Sequence, residues 1–128
     1  MRENDIAREI VDAAFHLHCD LGPGLLESVY EVLLARSLER RGLGVERQKP
    51  IRFEVDGVKF DEGFRADLLV GDLVIVELKS VEELHPSHHK QLKTYLKLAG
   101  KRLGLLINFG APLFKRGVSR VALDLQCD

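Results

Sequence analysis

The sequence predicts a mixed α/β domain in which helices flank a central β-sheet on both sides. Two amphipathic helices come first, a run of strands follows, and a third helix separates these strands from two more. Residues 68–70 and 73–76 are apolar at consecutive positions, which is typical of strands that are covered on both faces. With 128 residues, 45% of them hydrophobic, the chain can form one core, and we expect a single domain over residues 1–128.

The first two helices are predicted from apolar residues that recur at helical spacing. The first helix is expected over residues 4–19, and Gly22-Pro23-Gly24 separates it from the second. The second is expected over residues 25–41 and is ended by Gly42-Leu43-Gly44.

Alternating residues predict a strand over residues 45–55, in which Pro50 indicates an edge position or a bulge. Asp56-Gly57 is a strong signal for a hairpin turn. The remaining elements are expected in this order: a short strand 58–60, a turn 61–63, strands 64–70 and 73–79, a helix 87–99, and strands 103–109 and 118–125.

Composition argues against several classes of protein. Cys19 and Cys127 belong to no CxxC pair or Cys/His cluster, so we expect neither structural zinc nor a disulfide scaffold. No apolar stretch approaches the ~20 residues of a membrane span, and the polar start is unlike a signal peptide. We therefore expect a cytoplasmic protein that does not bind a membrane.

The net charge of -1 hides a strong asymmetry. Residues 84–123 contain eight Lys or Arg and no Asp or Glu, which leaves 11 Lys or Arg against 20 Asp or Glu elsewhere. This division suits a protein that holds a polyanion beside a carboxylate cluster. Alternatively, the two blocks neutralise each other across the fold, and charge alone leaves both interpretations open.

Three charged residues interrupt the apolar strands. Glu77 and Lys79 are two positions apart and share one strand face, and Asp67 lies on the preceding strand. Because buried charges are costly unless they are paired or bind a metal, these residues form either an ion pair or a site. Two carboxylates with a backbone carbonyl suit Mg²⁺ or Mn²⁺, and a neighbouring lysine suits the activation of water. This chemistry favours phosphodiester hydrolysis.

The turn between the two carboxylates predicts an irregularity. With a two-residue loop at Gly71-Asp72, Asp67 would face Val76 and lie on the sheet face opposite Glu77. A metal shared by both carboxylates therefore requires a three-residue loop, a bulge or a sharp bend near Asp67.

The same residues resemble the signature of the PD-(D/E)XK nuclease superfamily, which is an acidic residue, a short hairpin and then (D/E)XK on the next strand. Gly24-Leu25-Leu26-Glu27-Ser28-Val29-Tyr30 is similar to the motif that names the GxxExxY protein family, a branch of that superfamily. Gln91-Leu92-Lys93-Thr94-Tyr95 matches the QxxxY element of its RecB-like members. The likeness covers nearly the whole chain, with Ala66 in place of the proline of the signature.

The resemblance implies a restriction-endonuclease-like core and a Mg²⁺-dependent nuclease that acts on nucleic acid, on DNA in preference to RNA. It implies six site residues: Asp67 and Glu77 as metal ligands, Glu27 as a further carboxylate from the second helix, Lys79 as the catalytic lysine, and Gln91 and Tyr95 as residues that line the site.

The third helix carries two polar stripes. His88, Gln91 and Tyr95 fall at helical spacing on one stripe, and a row of lysines lies beside it. One helix can therefore present site residues and phosphate-binding cations together. The residues expected to contact nucleic acid are Lys90, Lys93, Lys97, Lys101, Arg102 and His88.

Two other functions stay open. A non-catalytic nucleic-acid-binding or protein-interaction module would keep the fold without a metal, although nothing then explains why Asp67, Glu77 and Lys79 occur together. A structural protein or a small-molecule hydrolase would use Glu77 and Lys79 as a buried pair and gain no stability from metal. Because cutting two strands needs two sites, we also expect a symmetric homodimer.

Overall fold

A computed structural model describes residues 2–123, which form a five-stranded mixed sheet flanked by helices. The elements are α1 (Glu3–Leu21), α2 (Glu27–Arg40), β1 (Val45–Val55), β2 (Val58–Val70), β3 (Val74–Lys79), α3 (Pro86–Ala99), β4 (Leu103–Asn108), α4 (Phe114–Gly117) and β5 (Val118–Ala122). The strands follow the order β1-β2-β3-β4-β5. Neighbouring strands are antiparallel except β3 and β4, which are parallel and joined through α3. The predicted fold class is confirmed.

The two faces of the sheet bury separate apolar clusters. On one face, α1 and α2 cover residues that include Val76 of β3. On the other face, Leu92 and Leu96 of α3 pack with Ile75 and Leu106. Because successive residues of β3 enter opposite clusters, the strand is apolar at consecutive positions, as the sequence predicted for a strand covered on both sides.

A long hairpin replaces the two short strands expected before residue 70. β2 is continuous from Val58 to Val70, so the turn predicted at residues 61–63 is wrong. The Phe53 ring lies over Gly63, where a Cβ would be 1.8 Å from a ring carbon, so a larger residue at this position would have to displace the ring. The β1–β2 register shifts between Ile51 and Phe53, which places an irregularity in the ladder where a chain reversal was expected.

Three smaller differences concern the carboxyl-terminal part of the chain. The short helix α4 was not predicted, and β4 ends at Asn108 rather than at Phe109. The last strand was expected over residues 118–125. The structure describes this segment only to residue 123, and β5 covers Val118–Ala122. Cys127 also lies outside the described residues. Within residues 2–123, no helix has both the length and the apolar composition to cross a bilayer.

The β1–β2 hairpin changes face part way along its length. Val45 packs against the cluster under α1 and α2, whereas Ile51 belongs to the cluster under α3, although strict alternation would put both on one face. On β2, Ala66 and Leu69 share the α3 cluster although they are three residues apart. Gln48 has φ +50, a left-handed conformation that is uncommon for residues other than glycine. Both strands therefore switch face at the same rung of the ladder.

Candidate active site

The β2–β3 turn brings two carboxylates together. Val70 pairs with Val74, so residues 71–73 form a three-residue loop. The β2–β3 pairing ends at Leu68 and Val76, directly before Asp67 on β2 and Glu77 on β3. Beyond it, the Asp67 side chain reaches β3 and accepts from the Leu78 amide. The predicted irregularity is confirmed, and it combines the longer loop with the change of face at Asp67.

Glu77 lies in an apolar environment without a full set of partners. Its side chain is 7% exposed, and its Oε1 has no hydrogen-bond partner among the described residues. Burial, followed by the hydrogen bond and charge of Asp67, raises the pKa of Glu77 to about 9, while Lys79 acts in the opposite direction. A buried carboxylate oxygen in this state needs either a proton or a bound cation.

Asp67 is held on both of its oxygens. The Leu78 amide donates to Oδ2 at 2.8 Å, and Gln48 Nε2 donates to Oδ1 at 3.3 Å. Lys79 ends β3 two positions after Glu77 and is half-buried. The end of β3 thus presents two carboxylates and an ammonium group on adjoining strands.

Asp67 and Glu77 fit a hard divalent cation. The unpaired Glu77 Oε1 is an oxygen donor that a cation would satisfy, and Mg²⁺ commonly binds through one or two carboxylates while keeping several waters. Among residues 2–123, no three His, Cys, Asp or Glu side chains converge into a preformed ligand cluster. The arrangement therefore suits a water-rich Mg²⁺ or Mn²⁺ site rather than a closed metal cage.

Glu27 lies in the first turn of α2, which packs on the sheet face opposite α3, and its charge acts on His88 of α3. It is exposed and lines a small cavity of about 370 Å³ together with Asp67. The other lining residues are Ser28, Glu31, Arg47, Gln48 and Leu78. The cavity connects α2 to the part of the hairpin where Gln48 and Asp67 lie. Glu27 is therefore a neighbour of Asp67, although it forms no joint cluster with the strand carboxylates.

Sequence reasoning missed a polar network behind Asp67. Glu31 is buried, and its Oε2 accepts from both Nε and NH2 of Arg47, at 3.2 and 3.1 Å. Gln48 Nε2 donates to Glu31 Oε1 at 2.6 Å as well as to Asp67. The left-handed backbone at Gln48 turns its amide toward these two carboxylates. Glu31 follows Glu27 by four residues, so helical spacing is the signal that could have found it.

We expect Gln48→Asn to weaken the binding of Mn²⁺ about tenfold, because partners that orient metal ligands typically contribute this much. Asparagine tolerates the left-handed backbone, but its shorter amide cannot reach both Glu31 and Asp67. Isothermal titration of the protein with Mn²⁺ measures the change. An unchanged affinity would show that Gln48 shapes β1 without orienting Asp67.

Tyr30, the tyrosine of the Gly24–Tyr30 motif, is buried and supports the loop before α2. The Tyr30 ring stacks on Phe109 with 4.3 Å between centroids, and its hydroxyl donates to the Gly22 carbonyl at 2.6 Å. The same hydroxyl accepts from the Leu25 amide at 3.2 Å. These contacts fix the loop before α2 and, through it, the position of Glu27.

Tyr30→Phe should lower the free energy of unfolding by about 1 to 2 kcal/mol, because a buried hydroxyl with two partners is lost and the loop amide and carbonyl are left unpaired. Urea denaturation measures this effect. The matched control is Tyr95→Phe, whose hydroxyl has no hydrogen bond within the described residues and should cost less. Equal losses would contradict a special role for Tyr30.

Hydrogen bonds connect the loop after Lys79 to two neighbouring segments, the loop before α2 and the end of β4. Ser80 Oγ donates to the Leu25 carbonyl at 2.7 Å, which joins the end of β3 to the loop before α2. Asn108, 1% exposed, accepts from the amides of Val81 and Gly110 and donates to the Val81 carbonyl. These bonds hold the backbone around Lys79 in place from both sides.

The stripe of α3 that contains His88 and Tyr95 lies near the charged residues of β2 and β3. Tyr95 stacks on Phe64 at 3.8 Å, and burial together with the charges of Glu77 and Asp67 raises its pKa. His88 is half-buried, and its pKa is lowered first by burial and then by Lys79. Gln91 lies between them on the helix and is exposed.

The basic residues expected to bind nucleic acid divide into two groups. Lys90, Lys93 and Lys97 are exposed along α3. Lys101 donates to the Asp72 carbonyl at 2.8 Å in the β2–β3 turn, and Arg102 directly precedes β4. That turn lies at the end of β3 opposite Lys79, so the structure separates Lys101 and Arg102 from the carboxylates.

Comparison with known proteins agrees with this arrangement. The family model described as PD-(D/E)XK nuclease superfamily matches residues 4–121. Neither the curated proteins nor the solved structures include a significant match to this sequence. The matched region contains the whole sheet, both strand carboxylates and the lysine at the end of β3. The chain therefore belongs to the PD-(D/E)XK nuclease superfamily.

Proposed function

We propose that this protein is a Mg²⁺-dependent nuclease that hydrolyses phosphodiester bonds in DNA. The observation that carries the proposal is the buried, unpaired Glu77 Oε1 beside Asp67, with Lys79 on the same strand. A structural ion pair between Glu77 and Lys79 would account for the burial only if the ammonium group satisfied the carboxylate, but Oε1 has no hydrogen-bond partner within residues 2–123. Membership of the nuclease superfamily makes nucleic acid the substrate class that this chemistry serves.

In the proposed reaction, Asp67 and Glu77 would hold the metal, and Glu27 would add a carboxylate from α2. A bound Mg²⁺ would supply electrostatic stabilisation of charge on the phosphoryl oxygens. Lys79 would orient the attacking water by hydrogen bonding, and its charge would stabilise the transition state. Tyr95 and His88 would close the α3 side of the site, while Gln91 would contact the substrate from its exposed position.

The exposed lysines of α3 would contact phosphates of the bound strand. Lys90 and Lys93 are close to Gln91 along α3 but project from another side of the helix, so they would hold the backbone outside the site itself. DNA is proposed rather than RNA because the Gln91-to-Tyr95 spacing resembles that of RecB-like members. The Gly24, Glu27 and Tyr30 pattern supports the narrower assignment to the GxxExxY branch.

The test is a cleavage assay on plasmid DNA and on a labelled RNA of matched sequence, with Mg²⁺, with Mn²⁺ and with EDTA. The proposal expects metal-dependent DNA cleavage that is lost in the double variant Asp67→Ala, Glu77→Ala. Retained binding to DNA without cleavage by the wild type would favour the non-catalytic module instead. Preferential cleavage of RNA would correct the substrate.

We further propose that the protein acts as a symmetric homodimer, because a duplex cut on both strands needs two sites related by the two-fold symmetry of its backbones. Sedimentation velocity tests this directly. A monomer at concentrations where cleavage is measured would contradict it and would leave a nicking or single-strand activity.

A further inference from the structure

Half of the aromatic residues in this chain lie in one row. The sequence contains six Phe and two Tyr, and four of these eight line up as Phe60, Phe53, Phe64 and Tyr95. Successive ring centroids are 5.1, 6.4 and 3.8 Å apart, and the last pair is stacked within 9° of parallel. The row runs from the tip of the β1–β2 hairpin to Tyr95, which lies beside the two carboxylates.

The outer part of this row lies on an arm that projects beyond the sheet. β2 pairs with β3 only from Leu68 to Val70, so its first part pairs with β1 alone. At the tip, Val55, Val58 and Phe60 are 49%, 54% and 44% exposed. Two-stranded ribbons are marginally stable by themselves, and exposed apolar side chains concentrated on one are a signature of a binding surface.

The arm has two chemically different faces. Phe53 pairs with Phe60, and Val55 pairs with Val58, so alternation places all four on one face. Glu54 pairs with Lys59 between them and lies on the other face. Phe53, Phe60, Val55 and Val58 therefore form an apolar face at the tip, which Arg52, Glu54, Lys59 and Asp61 border. Across the register shift, Phe53 lies 6.4 Å from Phe64, which stacks on Tyr95.

We propose that the aromatic row is a stacking surface for unpaired bases, so that the enzyme acts on single-stranded ends or flaps. This inference rests on the nuclease function proposed above. Flat rings accept any base by stacking, at about 1 to 3 kcal/mol per base, whereas the bases of a duplex are already stacked on one another. A strand laid along the row from Phe60 would reach Tyr95, on which the charges of Glu77 and Asp67 act.

The position of the surface favours a nucleic acid over a second copy of the chain as the occupant. The row leads toward a site of nuclease type, and Arg52 and Lys59 border the cavity at Phe53 and Phe60, together with Glu54 and Asp61. A self-association surface would have no need to connect with the carboxylates. Dimerisation through the arm is nevertheless a distinct outcome of the experiment below.

The chain contains no tryptophan, so Phe60→Trp introduces a single fluorescent reporter at the outer end of the row. The variant is combined with Lys79→Met to suppress cleavage and is titrated with oligothymidylate, or with its duplex with oligoadenylate, in the presence of Mg²⁺. Stacking of a base on the indole should quench its fluorescence. We expect single-stranded DNA to quench at a concentration at least about tenfold lower than the duplex.

Phe60→Leu then tests the contribution of the ring without the reporter. It should weaken the binding of dye-labelled oligothymidylate about tenfold, as measured by fluorescence anisotropy, and leave duplex binding unchanged. The matched control is Val58→Ser, which removes exposed apolar surface from the same tip without removing a ring and should have a much smaller effect. Circular dichroism checks that both variants fold.

Equal quenching by the single strand and the duplex, or unaltered affinity of Phe60→Leu, would overturn the proposal. A change in sedimentation coefficient for Phe60→Leu would also overturn it, because the tip would then join two copies of the chain. Metal-dependent cleavage of single-stranded DNA that is insensitive to Phe60→Leu would reject the stacking surface and leave the nuclease function intact. Absence of both nucleic-acid binding and cleavage in the wild type would reject both proposals.

Discussion

Replacing Glu77 with glutamine should stabilise the metal-free protein at neutral and alkaline pH while abolishing metal-dependent cleavage. The carboxyl group is charged in the unfolded chain above its ordinary pKa of 4.5, but the folded chain keeps it protonated up to about 9. Folding therefore takes up a proton in this window, and stability falls as the pH rises from about 4.5 to about 9. Glutamine mimics the protonated acid and removes this dependence.

The expected gain for Glu77→Gln is roughly 2 to 3 kcal/mol at about pH 7, and it should vanish near pH 4 to 5, since each pKa unit corresponds to about 1.4 kcal/mol. Thermal unfolding in EDTA across this pH range measures it, with a rise in Tm of roughly 5 to 10 °C at neutral pH. Glu39→Gln, an exposed position on α2, is the matched control. A pH profile identical to that of the wild type would show that Glu77 is already ionised without metal.

Added Mg²⁺ should remove most of the difference in stability between the wild type and Glu77→Gln. A cation bound only by the folded state adds about 2.7 kcal/mol when its free concentration is about 100 times its dissociation constant. The wild type should gain this stabilisation because the metal replaces the proton on Glu77, whereas the Glu77→Gln variant has lost a ligand and should gain little. A metal-induced shift of equal size in both proteins would contradict the role of Glu77 as a ligand.

Lys79→Met should lower the rate of DNA cleavage by about 100-fold to 10,000-fold, the range lost when a group that assists proton transfer is removed. The metal ligands remain, so the stabilisation by Mg²⁺ should persist. This combination separates Lys79, which acts on the water, from Asp67 and Glu77, which hold the metal. Cleavage of a labelled oligonucleotide under single-turnover conditions measures the rate.

Lys115→Met is the matched control for Lys79→Met, because it removes one positive charge from α4, outside the cavity that contains Asp67. Its effect on cleavage should be small. If Lys79→Met also abolished the stabilisation by Mg²⁺, Lys79 would be needed for the geometry of the carboxylates, and its proposed contact with water would lose its support.

Periodicity in the sequence predicted the elements whose structure depends on local pattern. The three long helices and the β3 and β4 strands have consistent apolar faces or apolar runs, so their positions agree with the structure to within a few residues. The turn predicted at residues 61–63 failed for a different reason. Asp61, Glu62 and Gly63 are common in turns, but here pairing with β1 across a register shift keeps the chain extended.

The irregular hairpin at the site was predictable because a regular two-residue turn would have put Asp67 and Glu77 on opposite faces of the sheet, where they could not share a metal. Two carboxylates on adjoining strands required an irregular hairpin, and the structure provides it. The change of face at Gln48 was not predictable, because it depends on a left-handed conformation at a residue with no special preference for one. Helical spacing from Glu27 could have indicated Glu31, but its pairing with Arg47 joins α2 to β1, and no sequence spacing indicates that contact.

The kink at Gln48 has a further consequence for the solubility of the folded chain. β1 is an edge strand, and its outer row of amides and carbonyls is a template on which another extended chain could add. The kink interrupts that row, and Pro50 removes one donor two residues later. Glu46 and Lys49 place charges on either side. The same local distortion that turns an amide toward Asp67 therefore protects the exposed margin of the sheet against aggregation.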